Sequence, residues 1–157
     1  MSELSSCRIL YIAASCSVHT QKWCQWFVGR GHNVHVATFD SDEIPSVTVH
    51  HMTQSSKPEA SDPRKISYLS RVIELRRIIS IVQPDIVHAH YASSYGALAS
   101  LAVKQPYYLS VWGSDVYEFP ERSPLHRALL MHALKKATWL MSTSRAMAKQ
   151  TARYTDK

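Results

Sequence analysis

The sequence predicts an α/β domain built on a doubly wound, mostly parallel sheet with strand order 3-2-1-4-5-6. Three observations predict it. Strand-length apolar runs alternate with helix-length amphipathic stretches, in the pattern β-α-β-β-α-β-α-β-α-β-α. The first run, Cys7–Ala14 (CRILYIAA), is almost continuously apolar, as a central parallel strand buried on both faces must be. Crossovers between parallel strands are right-handed, which turns this succession into the 3-2-1-4-5-6 order.

Taken in order, Ser15–His19 is a polar loop and Thr20–Arg30 a helix. Trp23, Trp26 and Phe27 repeat at helical spacing there, and Gly31 suits the C-cap. Asn33–Phe39 is the second strand and Ser46–His50 a short third. Thr53–Asp62 (TQSSKPEASD) has the composition of an exposed loop, and Pro63 suits the first turn of a helix. Tyr68, Val72, Leu75, Ile79 and Val82 form a core-facing stripe that Pro84 closes. Asp85–His90 is the fourth strand, Ser93–Lys104 an Ala-rich helix and Pro106–Trp112 the fifth strand, followed by the loop Gly113-Ser114-Asp115. Pro124–Ala137 is a helix with Leu125, Leu129 and His132 on one side. Thr138–Ser142 is the last strand, and Ser144 caps a closing helix that runs to about Tyr154.

With 157 residues the chain makes one domain. A globule of this size buries roughly 68–70% of its extended-chain surface, enough for a core without staples. Hydrophobic content of 45% against 19% charged excludes a disordered chain. Cys7, Cys16 and Cys24 form no CxxC pair and no metal spacing, which suggests small apolar fillers in a reducing, cytoplasmic compartment. No run of 18 apolar residues exists, and MSELSSCRILYIAAS lacks a basic leader, so neither a membrane span nor a signal peptide is expected. The net charge of +6 is concentrated: Arg64–Gln83 carries five Lys/Arg against one Glu, and Arg122–Lys157 eight against one Asp. Such faces attract phosphate or anionic lipid, or simply stay solvated. No RNP motif, zinc-finger spacing or helix-turn-helix points to nucleic acid.

Ligands of open parallel sheets bind at the carboxyl ends of strands. In the predicted order the switch point lies between the first and fourth strands, so the loops Ser15–His19 and His90–Tyr95 would face one crevice, with Trp112–Asp115 beside them. With glycine only at positions 29, 31, 96 and 113, the dinucleotide fingerprint is missing. His88 and His90 share a strand face that suits zinc, but no third ligand stands at metal spacing, and no metal is expected. Ser114 and Asp115 with His90 lack the GxSxG elbow of a hydrolase. A sugar fits the residue types better, because it offers hydroxyl edges and apolar CH faces. His90, Tyr91, Tyr95, Trp112, Ser114 and Asp115 supply both, and helix starts near Ser93 and Ser144 add backbone N–H groups for phosphate. Blander roles stand beside these: His19 as a helix-start residue, His88 packed within the sheet, Trp112 as core, Asp115 as the cap of the turn after Gly113, and Arg145 on a solvated helix.

HTQKWCQWFVGRGHNVHVATF, DIVHAHYASSYGALASLA, SVWGSDVY and ALKKATWLMSTSRAMAKQ, in this order, resemble the N-terminal domain of family 4 glycosyltransferases of the GT-B fold. The resemblance spans nearly the whole chain and implies a Rossmann-like domain over residues 1–157. It also implies retaining transfer from a nucleotide-sugar to a polysaccharide, lipopolysaccharide or glycolipid acceptor. In that family this domain holds the acceptor, the reaction occurs in the cleft between two domains, and no metal cofactor is generally needed. The candidates for the acceptor site or cleft are His19, His90, Tyr91, Tyr95, Trp112, Gly113, Ser114, Asp115, Ser144 and Arg145. Two departures matter. The Glu-x7-Glu pair of the family's donor-binding second domain is absent from these residues, so that domain is expected elsewhere, in a longer chain or a separate subunit. Trp112 stands where many relatives carry a histidine. The alternative expectation is a non-catalytic module that recruits a glycolipid, an anionic membrane surface at its inner face, or a partner protein, since each Lys or Arg near an anionic leaflet contributes about 1 kcal/mol.

Overall fold

The computed structural model describes residues 6–53 and 64–157, with side chains from residue 70 onward in the second stretch. Six strands form one sheet in the order β3-β2-β1-β4-β5-β6, the order the succession of elements predicts. They are β1 (Arg8–Ile12), β2 (Asn33–Thr38), β3 (Thr48–His51), β4 (Ile86–His90), β5 (Tyr108–Val111) and β6 (Trp139–Ser142). The helices are α1 (Val18–Val28), α2 (Arg64–Val82), α3 (Tyr95–Ala102), α4 (Ser114–Tyr117), α5 (Pro124–Lys136) and α6 (Arg145–Thr151), with a 3-10 turn at Phe119–Glu121. The chain divides into two compact units, Met1–Ile86 and Val87–Lys157.

In the first unit β1 pairs in parallel with β2, and β2 with β3. Ile9, Tyr11, Val34 and Val36 project into a core closed by Cys24 and Ile44, with Trp23 and Phe27 of α1 packed against it. Cys24 is thus a buried filler, and burial pushes its thiol up to about 12. The end of α1 explains Gly31: His32 N–H reaches Phe27 O, Gly31 N–H reaches Val28 O, and Gly31 sits at φ 81. This is a Schellman ending, which needs a left-handed residue. The start lies earlier than Thr20, because Ser17 accepts the first helical bond on its backbone oxygen, from Gln21. β3 starts later than Ser46, whose φ of 60 is incompatible with a strand. On α2, Val72, Leu75, Ile78 and Val82 are buried, each contributing about 1.5–3 kcal/mol. Ile78 rather than Ile79 is the better buried of that pair. The expectations for residues 54–63, including the Pro63 start, and for the Tyr68 side chain lie outside the described residues. Asp85 then leads into β4 with a two-way link to β1: Arg8 N–H donates to Asp85 Oδ2 at 2.7 Å, and Asp85 N–H donates to Arg8 O at 2.9 Å.

In the second unit β4, β5 and β6 are paired in parallel. α3 is short and rich in small residues, and it is buried along most of its length. Gly96 sits in its first turn, where an added Cβ would come 2.7 Å from Leu109 Cδ1 and 2.9 Å from Tyr91 O. Only glycine lets the helix approach the sheet this closely. β5 is shorter than Pro106–Trp112 because proline has no N–H to give and the Trp112 N–H is taken by Asp115. The loop expected after Gly113 is instead α4 and the 3-10 turn, with Pro120 at a turn position that needs no N–H. α5 starts at Pro124 behind the Ser123 cap and packs on α3 through its buried side, which includes Leu130, Ala133 and Leu134. Leu125, Leu129 and His132 do share a side, but it is the exposed one. α6 ends at Thr151, before Tyr154, whose hydroxyl donates to Glu121 at 3.2 Å.

Candidate functional site

The second unit gathers the ends of β4 and β5 around one buried carboxylate. Asp115 is fully buried. Its Oδ2 accepts the N–H of Ala92 at 2.9 Å, and its Oδ1 those of Trp112 at 3.0 Å and Gly113 at 2.9 Å. One side chain therefore ties the loop after β4 to the loop after β5. Its oxygens face backbone N–H groups, so Asp115 caps the turn and positions its neighbours. Sequence reasoning found the residue; its bond to Ala92, 23 positions away, has no sequence signal.

Tyr91 follows β4 with φ 63, a left-handed conformation that is uncommon for an aromatic residue. Its N–H donates to Ser110 O, and its carbonyl accepts from Ser94 and Gly96. Residues held in sparse regions of φ/ψ space cluster at ligand sites. The Tyr91 side chain is half-buried and that of Tyr95 buried. His90 is buried, with its ring 5.3 Å from half-buried Trp112 and 4.7 Å from His88. His88 belongs to the sheet: its Nε2 lies 2.7 Å from Ser110 Oγ, and burial lowers its pKa to about 4, keeping the ring neutral. Ser110 is a partner that sequence reasoning missed, since only the β4–β5 register, which pairs it with His90, brings it within reach of His88.

Gly113, at φ 127, opens α4 and approaches Met147 of α6 at 4.0 Å from an added Cβ. Ser114 is exposed. Ser144 caps α6, accepting the Met147 N–H at 3.2 Å, and Arg145 is exposed beside it. Gln150 of α6 donates to Val116 O at 3.0 Å, fixing α6 against α4. Nine of the ten predicted residues thus belong to the second unit. His19, the tenth, is exposed on the first turn of α1 in the first unit. Among the described residues no group of three or more His, Cys, Asp or Glu side chains could hold a metal ion. The cluster offers aromatic faces, hydroxyls and one exposed guanidinium. These suit binding and orientation of a polyhydroxylated ligand.

The model of a protein family described as glycosyl transferase 4-like matches residues 8–144. No curated protein matches the sequence. The match takes in every strand and all but the last helix, and it runs through each of the candidate residues except Arg145. The chain belongs to the glycosyl transferase 4-like family.

Proposed function

We propose that this domain is the acceptor-binding half of a retaining glycosyltransferase that moves a sugar from a nucleotide-sugar to a polysaccharide, lipopolysaccharide or glycolipid. The family match over residues 8–144 carries the reading. The mixture of Tyr91, Trp112, Ser114 and Arg145 at the strand ends of the second unit supports it. Trp112 and Tyr91 pack on the apolar face of the acceptor, Ser114 bonds its hydroxyl edge, and Asp115 holds their loops in place. The nucleotide-sugar is a co-substrate bound mainly by a second domain, in the same chain or in a partner subunit, and the domain needs no other cofactor. It works in the cytoplasm, at the inner face of the membrane when its acceptor is lipid-linked. No described helix is long and apolar enough to cross a membrane.

The test is transfer from labelled nucleotide-sugars by the protein in its native length. Tyr91→Ala and Trp112→Ala should each raise the acceptor KM about ten-fold or more, with the donor KM unchanged. A raised donor KM would place the donor here instead. Transfer by residues 1–157 alone would refute the need for a second domain, and no transfer with any nucleotide-sugar would refute the reading as a whole.

A further inference from the structure

The outer face of α1 carries a pattern that the sugar-binding site does not use. Val18, Lys22, Trp26 and Arg30 follow one another at i, i+4, i+8 and i+12, and all four are exposed, Val18 at 58% and Trp26 at 51%. Lys22 and Trp26 line, with the half-buried Trp23 and Phe27, an apolar concavity of about 390 Å³. The rings hold one another: Trp23 and Phe27 stack at 6.1 Å, and Trp26 and Phe27 meet edge to face at 4.7 Å. The Arg30 guanidinium lies 3.4 Å over the Trp26 ring and donates to Trp26 O at 3.1 Å.

We infer that this face of α1 docks on an anionic bilayer, with Trp26 at headgroup depth and Lys22 and Arg30 on lipid phosphates. Charge complementarity selects the occupant. From Leu4 to Phe39 the sequence has no Asp or Glu. Neither Lys22 nor Arg30 is ion-paired with a described residue, unlike Arg8, which meets Asp85, and His51, which meets Glu43. The acidic loop 40–45 meets Cys16 through Asp40 and reaches α1 at Gln25, whose amide donates to Pro45 O at 3.5 Å. Tryptophan flanked by Lys and Arg on a helix is the composition that sits at a membrane–water boundary. A soluble glycan fits less well, because a sugar stacks on an open aromatic face and Arg30 already covers one face of Trp26. The α5 face also pairs apolar with basic residues, Leu125 and Leu129 with Lys135 and Lys136, but it carries no tryptophan. The inference names the surface for the peripheral membrane contact proposed above and rests on that part of the reading.

The experiment is flotation of the full chain with phosphatidylcholine vesicles, with and without phosphatidylglycerol. Binding should require phosphatidylglycerol and weaken with salt. At about 1 kcal/mol per cation, Lys22→Gln and Arg30→Gln should each weaken it about five-fold. Trp26→Ala should weaken it too, while Lys22→Arg keeps it. These side chains are exposed, so unchanged thermal unfolding serves as the folding control. Wild-type binding that Lys135→Gln/Lys136→Gln abolishes and Lys22→Gln/Arg30→Gln spares would overturn the assignment to α1 and leave the membrane contact standing. No binding to anionic vesicles would overturn both, and retention on an acidic oligosaccharide without vesicle binding would reassign the face to a glycan.

Discussion

The loop after β1 and the loop after β4 each leave the carboxyl end of a parallel strand, yet they are held by different means. The first is tied by a hydroxyl and a partly exposed carboxylate: Ser15 N–H donates to Thr38 Oγ1 at 3.1 Å, and Cys16 N–H to Asp40 Oδ2 at 3.4 Å. No non-glycine residue from Ala13 to His19 has a positive φ. The second contains Tyr91 at φ 63 and is held by Asp115, a carboxylate with no exposed surface. Charge-assisted bonds to backbone N–H are about twice as strong as neutral ones, and more so away from water. A strained turn therefore coincides with a buried carboxyl group that accepts three backbone bonds, and an unstrained turn is held by a hydroxyl and a more exposed carboxylate. The loop pair of the second unit thus combines a strained turn, held by backbone bonds from Tyr91 to Ser110, Ser94 and Gly96, with one buried side chain that bonds both loops.

The comparison can be broken most forcefully at Asp115. Asp115→Ala leaves three backbone donors without their acceptor, so it should destabilise the protein by about 3 kcal/mol or more and lower Tm by roughly 6–12 °C. Asp40→Ala should cost less than about 1 kcal/mol, and equal losses in thermal melts would erase the contrast. The pH dependence comes next. His88 has a folded pKa of about 4, below the usual 6.5, because burial disfavours its charged form. The unfolded chain therefore binds the proton first, and stability falls as pH drops from about 6.5 towards 4, by up to about 3 kcal/mol from this group. His35 and His50, 3.1 Å apart and both lowered chiefly by burial, act in the same direction. His88→Asn should flatten the curve measured by urea unfolding at successive pH values; an unaltered slope would contradict the neutral ring. Gly96→Ala should lose about 1–3 kcal/mol by forcing α3 off Leu109 and Tyr91. Smallest is Ser144→Ala, about 1 kcal/mol for the lost cap on α6.

Strand order was legible because it follows from element succession and handedness, which survive errors of up to three residues at individual boundaries. The apolar run of β1, the α1 ending at Gly31 and the Ser144 cap were legible because each is local: a pattern of neighbours decides it. What failed was decided by distant partners. Leu125 and Leu129 have helical spacing, but α3 packs against the other side of α5. Gly113-Ser114-Asp115 read as loop, and residues 116–121 gave no element, because two short helical turns at Ser114–Tyr117 and Phe119–Glu121 leave no periodicity. Most of the candidate residues do stand at strand ends or in the loops that follow them, but the structural role of Asp115 was not fully visible in the sequence. Its bonds to Trp112 and Gly113 are local and signal a turn cap, whereas its bond to Ala92 appears only in three dimensions.

Hydrogen exchange across residues 91–96 and 112–116, in the wild type and in Asp115→Ala, tests most directly whether one carboxylate joins the two loops. The account predicts that both segments lose protection together in the variant, by a similar factor, while the amides of α5 keep theirs. Loss confined to 112–116, with the Tyr91 turn as protected as before, would contradict it.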